Sequence, residues 1–509
     1  MNNGYLLGYD IGASFVKATL LDSETGNVTA AAVTPEKEME IITPEQGWAE
    51  QHPAVWWEQV KLAAALLKEQ AGSKLDDVRA IGISYQMHGL VLVDKNLEVL
   101  RPSIIWCDNR SEEIGRQAFE SLGEEICMQR LLNSPGNFTA SKLKWVMENE
   151  YDIYKRIHKM MLPGDYIGMM MTGEILSTPS GFSEGIMWDF LDEKVAGMIL
   201  NQYNIQQAII PNIVPNFFDH GVLTPKAASD LGLRPGIRVS YRAGDQPNNA
   251  FALNVLRPGE FAATAGTSGI IYGVTDKPVA DARSRVNTFA HVNHTKSNPS
   301  YGVLMSVSGT GTLYSWLKKN IVTFGSDTLT YNQMNRLADL IPAGSEGVVV
   351  LPYGKGAERT LENRSVGAAI CNLDLNIHSK AHILRAGQEG IVFALKHGME
   401  IISALGMEIK DIRAGNSNLF LSPIFCEAFA TTMNTKITLF NTDGSQGAAR
   451  GAGVGAGIYK STDEAFVGLK PVKVIEPNQK KRETYLEAYL KWHQFLKKLL
   501  DVENAISDS

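Results

Sequence analysis

The chain has 509 residues, 44% of them hydrophobic and 20% charged, which is enough apolar surface for more than one core and for two or three domains of usual size. That balance excludes disorder as the main state. The 48 basic and 55 acidic residues leave a net charge of −7 with no long single-sign block, unlike the electrostatic footprint of a nucleic-acid binder. Every apolar run is interrupted well short of the roughly 20 residues that cross a bilayer. The opening Met1-Asn2-Asn3-Gly4 lacks the basic-then-apolar layout of a signal peptide, and the 4 cysteines never occur as CxxC. Reduced thiols, a cytoplasmic location and no membrane or nucleic-acid partner are the resulting expectations.

In chain order, residues 5–9, 15–21 and 28–33 read as three strands of an antiparallel meander, with Asp10-Ile11-Gly12-Ala13-Ser14 in the first turn. Pro53 opens a helix over 53–71, and Gly72 stops it. Residues 78–84 form a buried strand followed by another over 89–93, with Tyr85-Gln86-Met87-His88 at the carboxyl end of the first, where open α/β sheets bind ligands. After a helix-and-loop middle, a strand over 237–241 leads through a loop to Asp245 and a helix beginning near Pro247. Strands over 261–264 and 270–274 then flank Gly266-Thr267-Ser268-Gly269. This second strand–turn–strand echoes the first, so the spacing predicts a duplicated α/β architecture with a boundary near residue 250. Tyr485, Tyr489, Trp492, Leu496 and Leu499 mark one face of a closing helix.

Several patterns fail as cofactor motifs. Gly354-Lys355-Gly356 lacks the spacing of a Walker loop, and the glycines of 451–457 do not fit GxGxxG, so close helix packing is their better account. The pairs His378/His382 and His291/His294 lack a third metal ligand in reach. Two small-residue turns remain. Their backbone N–H groups and the hydroxyls of Ser14 and Thr267 suit phosphate, and Asp10 offers the hard oxygen that phosphate-bound Mg²⁺ takes. The alternative, that Asp10 and Ser14 only shape a β-turn, stays open at this point. Asp245 fits both a helix N-cap and a general base. His88, Asp108 and Arg110 beside Trp106 suit a polyol; equally, Trp106 suits a core and Asp108–Arg110 a solvated pair.

Strings along nearly the whole chain resemble the FGGY carbohydrate kinases, and within them the xylulokinases. They include Leu7-Gly8-Tyr9-Asp10-Ile11-Gly12-Ala13-Ser14, Gly47-Trp48-Ala49-Glu50-Gln51, Gly82-Ile83-Ser84-Tyr85-Gln86-Met87-His88-Gly89 and Arg101-Pro102-Ser103-Ile104-Ile105-Trp106. Leu162-Pro163-Gly164-Asp165-Tyr166, Gly244-Asp245, Gly266-Thr267-Ser268-Gly269 and Leu351-Pro352-Tyr353 follow in the same order. The resemblance implies two actin/hexokinase/Hsp70-like (ribonuclease H-like) domains flanking a cleft: a sugar-binding domain over 1–250 and a nucleotide-binding domain over 251–509. It further implies ATP and Mg²⁺ as cosubstrate and cofactor, a small sugar as substrate, and leaves a homodimer open.

By the same resemblance Asp245 is the catalytic base and Asp10 the essential carboxylate near metal and phosphates. Met87, His88, Trp106, Asp245 and Gln246 are the sugar contacts. Gly12, Ala13, Ser14, Lys17, Gly266, Thr267, Ser268, Gly415 and Asn416 are the nucleotide contacts. The expected reaction is D-xylulose to D-xylulose 5-phosphate. The alternatives are a sibling kinase for ribulose, fuculose or gluconate, or a catalytically silent sugar-binding regulator on the same fold. The chain departs from the xylulokinase pattern after Asp245, where Gln246-Pro247-Asn248-Asn249 replaces the usual Asn-Ala-Ala, and in the adenosine segment Arg413-Ala414-Gly415-Asn416-Ser417.

Overall fold

The computed structural model describes residues 4–323 and 328–507, so the opening Met1–Asn3 lies outside them. The first sheet is built from Tyr5–Ile11 (β1), Val16–Asp22 (β2), Val28–Thr34 (β3), Val78–Tyr85 (β4) and Arg238–Gly244 (β5), in the order β5-β4-β1-β2-β3. β1, β2 and β3 are antiparallel neighbours, whereas β4 and β5 run parallel to β1. The near-continuous burial of β1 and β4 is what a parallel-sheet centre covered on both faces demands.

The second sheet contains Glu260–Ala265 (β6), Gly269–Thr275 (β7), Asn287–Ala290 (β8), Tyr301–Val307 (β9), Asp411–Gly415 (β10), Ile437–Phe440 (β11) and Pro471–Ile475 (β12). Its order is β8-β9-β7-β6-β10-β11-β12. The central run β9-β7-β6-β10-β11 repeats the first sheet strand for strand: two antiparallel steps, then two parallel ones. The expected duplication is therefore present, with one strand added at each edge.

The helix Pro53–Ala71 (α1) matches its sequence signals at both ends: Pro53 opens it, and Gly72 with φ 58° closes it. Pro179–Glu184 (α2), Asp245–Ala252 (α3), Thr310–Asn320 (α4), Lys380–Ala404 (α5), Gly444–Gly455 (α6) and Arg482–Ser507 (α7) are the other helices needed below. Along α7, Tyr485, Tyr489, Trp492 and Leu496 are buried in the core of the second sheet and Leu499 packs at its margin, as the stripe predicts. One expectation shifts: the strand expected over 89–93 spans Val91–Val93 and pairs with Lys159–Met161, not with the main sheet. Residue 250 lies inside α3. Among the described residues, no helix is long and apolar enough to cross a membrane.

Helices α3 and α6 cross between the sheets. α6 follows β11 of the second sheet but packs its Ala448, Ala449 and Ala452 on Leu6, Leu21, Ala80 and Tyr241 of the first. α3 follows β5 of the first sheet and sends Ala250 into a cluster with Ala262, Tyr272 and Phe440 of the second. Glycine makes the α6 contact possible. Gly8 and Gly82 are register partners on β1 and β4, and a methyl on either would run into the α6 backbone at Ser445 or Ala448. Gly451 and Gly455 on α6 lie against the Tyr241 ring and the Ser240 carbonyl in the same way. Gly451, Gly453 and Gly455 thus serve close helix packing, whereas Gly457 lies past the helix with φ 72° and no close neighbour.

Candidate active site

The two crossing helices begin next to each other. Asn248 of α3 donates to the Gly444 carbonyl of α6 at 2.8 Å, closing a corner that also holds the carboxyl end of β1. Asp10 sits there within β1, paired with Lys17 on β2, because the strand extends to Ile11 and not only to residue 9. Ser84 of β4 donates to Asp10 Oδ1 at 2.7 Å. A Cβ on Gly444 would lie 2.5 Å from Asp10 Oδ2, so the start of α6 comes against the carboxylate. Burial raises the Asp10 pKa; Lys17 and Ser84 oppose it, and the Asp443 charge adds to it.

Asp245 is the first residue of α3. The N-cap position belongs to Gly244, which corrects the expectation that Asp245 caps the helix. The cause is β5, which runs on to Gly244 and leaves no loop before the helix. Burial first, and then the Asp10 charge, pushes Asp245 up to about 7, against lowering by hydrogen bonds to Gln246. A carboxyl poised there changes charge near neutrality, as a group that accepts a proton at working pH must.

On the first-sheet side, Met87 is buried and His88 follows β4 with φ 62°. The His88 Nδ1–H donates to the Glu184 carbonyl at 2.8 Å, and its ring lies 4.8 Å from that of Phe138 and 5.6 Å from that of Phe289. Burial and then Lys142 lower the His88 pKa to about 3, so the imidazole is neutral and Nε2 is its acceptor. The Lys142 ammonium donates to the carbonyls of His88 and Ile105, 2.9 Å each, and so ties the two sugar-side segments together.

Trp106 is 50% exposed, which excludes the core reading of this residue. Asp108 and Arg110 are not a solvated pair either: their side chains are 0% and 1% exposed. Arg110 bonds Asp108 and Glu50 at 2.6 Å each and lies 3.9 Å over the Trp48 ring, while Arg101 reaches Glu50 from the other side. The i,i+2 spacing looks like a surface pair. Only the fold, by bringing Glu50 and Trp48 over it, turns it into a buried support for the Trp106 segment.

On the second-sheet side, the Gly266–Ser268 turn rests on the start of α4. The Gly266 carbonyl accepts from the Gly311 N–H at 2.9 Å, and that of Thr267 accepts from the Thr312 N–H at 3.2 Å. A cavity of about 700 Å³ opens beside it, lined by Gly266, Thr267, Thr312, Trp316, Lys319 and Asn418, among others. Ser268, Gly415 and Asn416 do not line that cavity; Gly415 closes β10, and the Asn416 N–H is occupied by the Phe440 carbonyl. Gly12, Ala13 and Ser14 form the β1–β2 turn, whose Ser14 carbonyl accepts from the Met39 N–H at 2.9 Å. The α4 lining residues carry only a faint sequence signal, the small, hydroxyl-rich Ser308-Gly309-Thr310-Gly311-Thr312 after β9. Phe289 carries none, since it comes from the second sheet to flank a histidine of the first.

Residues 5–252 match the FGGY family of carbohydrate kinases, N-terminal domain, and residues 261–458 match its C-terminal domain. A xylulose kinase of Bacillus subtilis is 30% identical over 468 residues, 90% of each chain. The chain belongs to the FGGY family of carbohydrate kinases. Among solved structures, one described as a xyloylose kinase from Brucella ovis superposes with a TM-score of 0.87 at 27% identity, covering 98% of this chain and 100% of that one. A xylulose kinase from Rhodospirillum rubrum gives 0.85 at 25%, covering 98% and 99%. The fold is thus the two-domain, actin/hexokinase-like FGGY kinase fold, and the activity is phosphoryl transfer to an alcohol group of a carbohydrate. Kinases of this family use ATP as phosphoryl donor.

Proposed function

We propose that this FGGY kinase phosphorylates the terminal hydroxyl of a ketopentose, converting D-xylulose to D-xylulose 5-phosphate, with Asp245 as general base. The observation that carries the reading is the place of Asp245. It stands beside Asp10 where the crossing helices start, one residue after Gly244, whose missing Cβ would lie 2.7 Å from Met87 Cγ. Asp245 accepts the O5 proton, O5 forms its bond to the γ-phosphorus, and the bond from that phosphorus to the bridging oxygen breaks to release ADP. Met87, His88, Trp106 and Gln246 hold the sugar on 1–250. Neutral His88 accepts a hydrogen bond from a sugar hydroxyl at Nε2, and Trp106 supplies an apolar wall. Gly266, Thr267 and Ser268, with Gly415 and Asn416, hold the nucleotide on 251–509, while Gly12, Ala13, Ser14 and Lys17 meet its phosphates from the other sheet. The curated xylulose kinases and the two solved ones above support this choice of sugar.

Mg²⁺ fits the corner. Asp10 presents hard oxygen, and among the described residues no cluster of three or more His, Cys, Asp or Glu forms a closed cage. Mg²⁺ usually takes one or two carboxylates and fills its remaining positions with water and phosphate oxygens. Asp10 would hold it, and when bound it supplies neutralisation of phosphate charge.

A coupled ADP-release assay over xylulose, ribulose, fuculose and gluconate tests the sugar. Xylulose is expected to give the highest kcat/KM, and a higher value for another sugar replaces it as substrate. The base also has a pH signature. Asp245 works ionised and its pKa is about 7, so kcat/KM should fall about tenfold per unit as pH drops below that value. A profile flat down to pH 5 would mean that another group takes the proton.

A further inference from the structure

Beneath the sugar-side residues lies a carboxyl group that the proposed chemistry does not use. Glu184 ends α2, is 1% exposed, and neighbours Tyr85, Met87 and Gly244. The buried charges around it do not balance. Arg242 is bonded to Asp165 at 2.9 Å and to the Leu176 carbonyl at 2.6 Å, and the Lys142 ammonium is occupied by carbonyls. Among the described residues no cation pairs with the Glu184 carboxyl. Among the described residues, neither Glu184 oxygen nor the Tyr85 hydroxyl beside them has another partner. An ionised carboxylate buried without a cation costs several kcal/mol, so the group keeps its proton. In the same direction, burial first and the Asp245 charge second hold its pKa well above the carboxylate range.

Two connections leave this residue, and both reach the site. Its main-chain carbonyl accepts the His88 Nδ1–H. Its carboxyl fills the space where Gly244 lacks a Cβ, with Met87 Cγ only 2.7 Å from that same missing atom. Gly244 is the residue before Asp245 and the N-cap of α3.

We propose that Glu184 is a positioning residue of the sugar site: its main-chain carbonyl holds His88, and its side chain, a neutral carboxylic acid, packs beside Met87 and Gly244 and steadies the Gly244–Asp245 turn. This rests on the reading of His88 as a sugar contact and Asp245 as the base. Three measurements on the full chain test it: thermal unfolding, sugar affinity by calorimetry, and kcat. Glu184→Leu fills the same space without polar atoms and keeps the main-chain bond to His88; it should fold, yet weaken sugar binding about tenfold and lower kcat about tenfold, the scale set by losing the buried polar contact of the carboxyl with the Tyr85 hydroxyl. Glu184→Gln is neutral, nearly isosteric and still a donor, and it should recover both quantities to within about threefold. The infrared difference spectrum on adding sugar, recorded at a pH well above 7 where Asp245 is ionised, should contain the carbonyl stretch of a protonated acid, absent from Glu184→Gln.

Wild-type behaviour of Glu184→Leu would remove the proposal. So would loss of turnover in Glu184→Gln as complete as in Glu184→Leu, since the carboxylate would then act ionised. Should Glu184→Leu fail to fold, the infrared band and the Gln variant still decide. Sugar affinity needs no base, so an Asp245 variant that keeps turnover would sink the base assignment and leave this test readable.

Discussion

Asp245→Asn should lower kcat by about 10²–10⁴-fold, the usual contribution of a positioned general base, while changing the sugar Kd by less than about threefold. The substitution keeps the shape of the side chain and its place at the start of α3, so the affinity set by His88 and Trp106 has no reason to change. It removes the one group near the corner whose pKa of about 7 lets it accept a proton close to neutrality. Asp10→Asn should behave differently. It takes away a negative charge that raises Asp245, so the acid limb of the kcat/KM profile moves to lower pH. Rapid-quench turnover together with sugar calorimetry separates the two effects. An Asp245→Asn enzyme turning over within tenfold of the parent would end the assignment.

Gly8→Ala should destabilise the protein by about 1–3 kcal/mol or more and depress activity with it. The added methyl meets the Ser445 carbonyl oxygen and the Ala449 nitrogen, which are backbone atoms of a helix that cannot rotate aside like a flexible side chain. The strain can be relieved only by lifting α6 from β1, and the first residues of α6 are those packed against Asp10. Loss of melting temperature should therefore come with loss of turnover. Gly197→Ala is the control, because a methyl there meets nothing within 4 Å. Thermal unfolding and steady-state rates of the two variants give the comparison, and equal behaviour would show that the helix–sheet contact has slack.

Much of the fold could be read where one short segment decides its own fate. Pro53 and Gly72 bound α1 because each acts on its own backbone, and the small-residue turns mark both hairpins because alternation and turn chemistry are local. The corner formed by Asp10 and Asp245 was reachable only through the resemblance, since nothing in the spacing brings residues so far apart together. What escaped depends on tertiary neighbours. Asp108 and Arg110 look like surface charges until Glu50 and Trp48 cover them. Trp106 looks like core until its neighbours turn out to hold it outward. Glu184 lies in an unremarkable stretch, and only the shortage of cations around it marks it out. The N-cap reading of Asp245 falls because strand and helix join without the intervening loop that a cap implies, which leaves the general-base reading.

Crossed helices have a mechanical consequence. With α6 packed on the first sheet and α3 reaching into the second, the two halves exchange helices at the point where Asn248 meets Gly444, and the Phe289–Ala290 strand gives them a second buried contact beside His88. Asp10 and Asp245 lie at that exchange point, so the spacing of the two carboxylates is set by packed helix starts and not by loops.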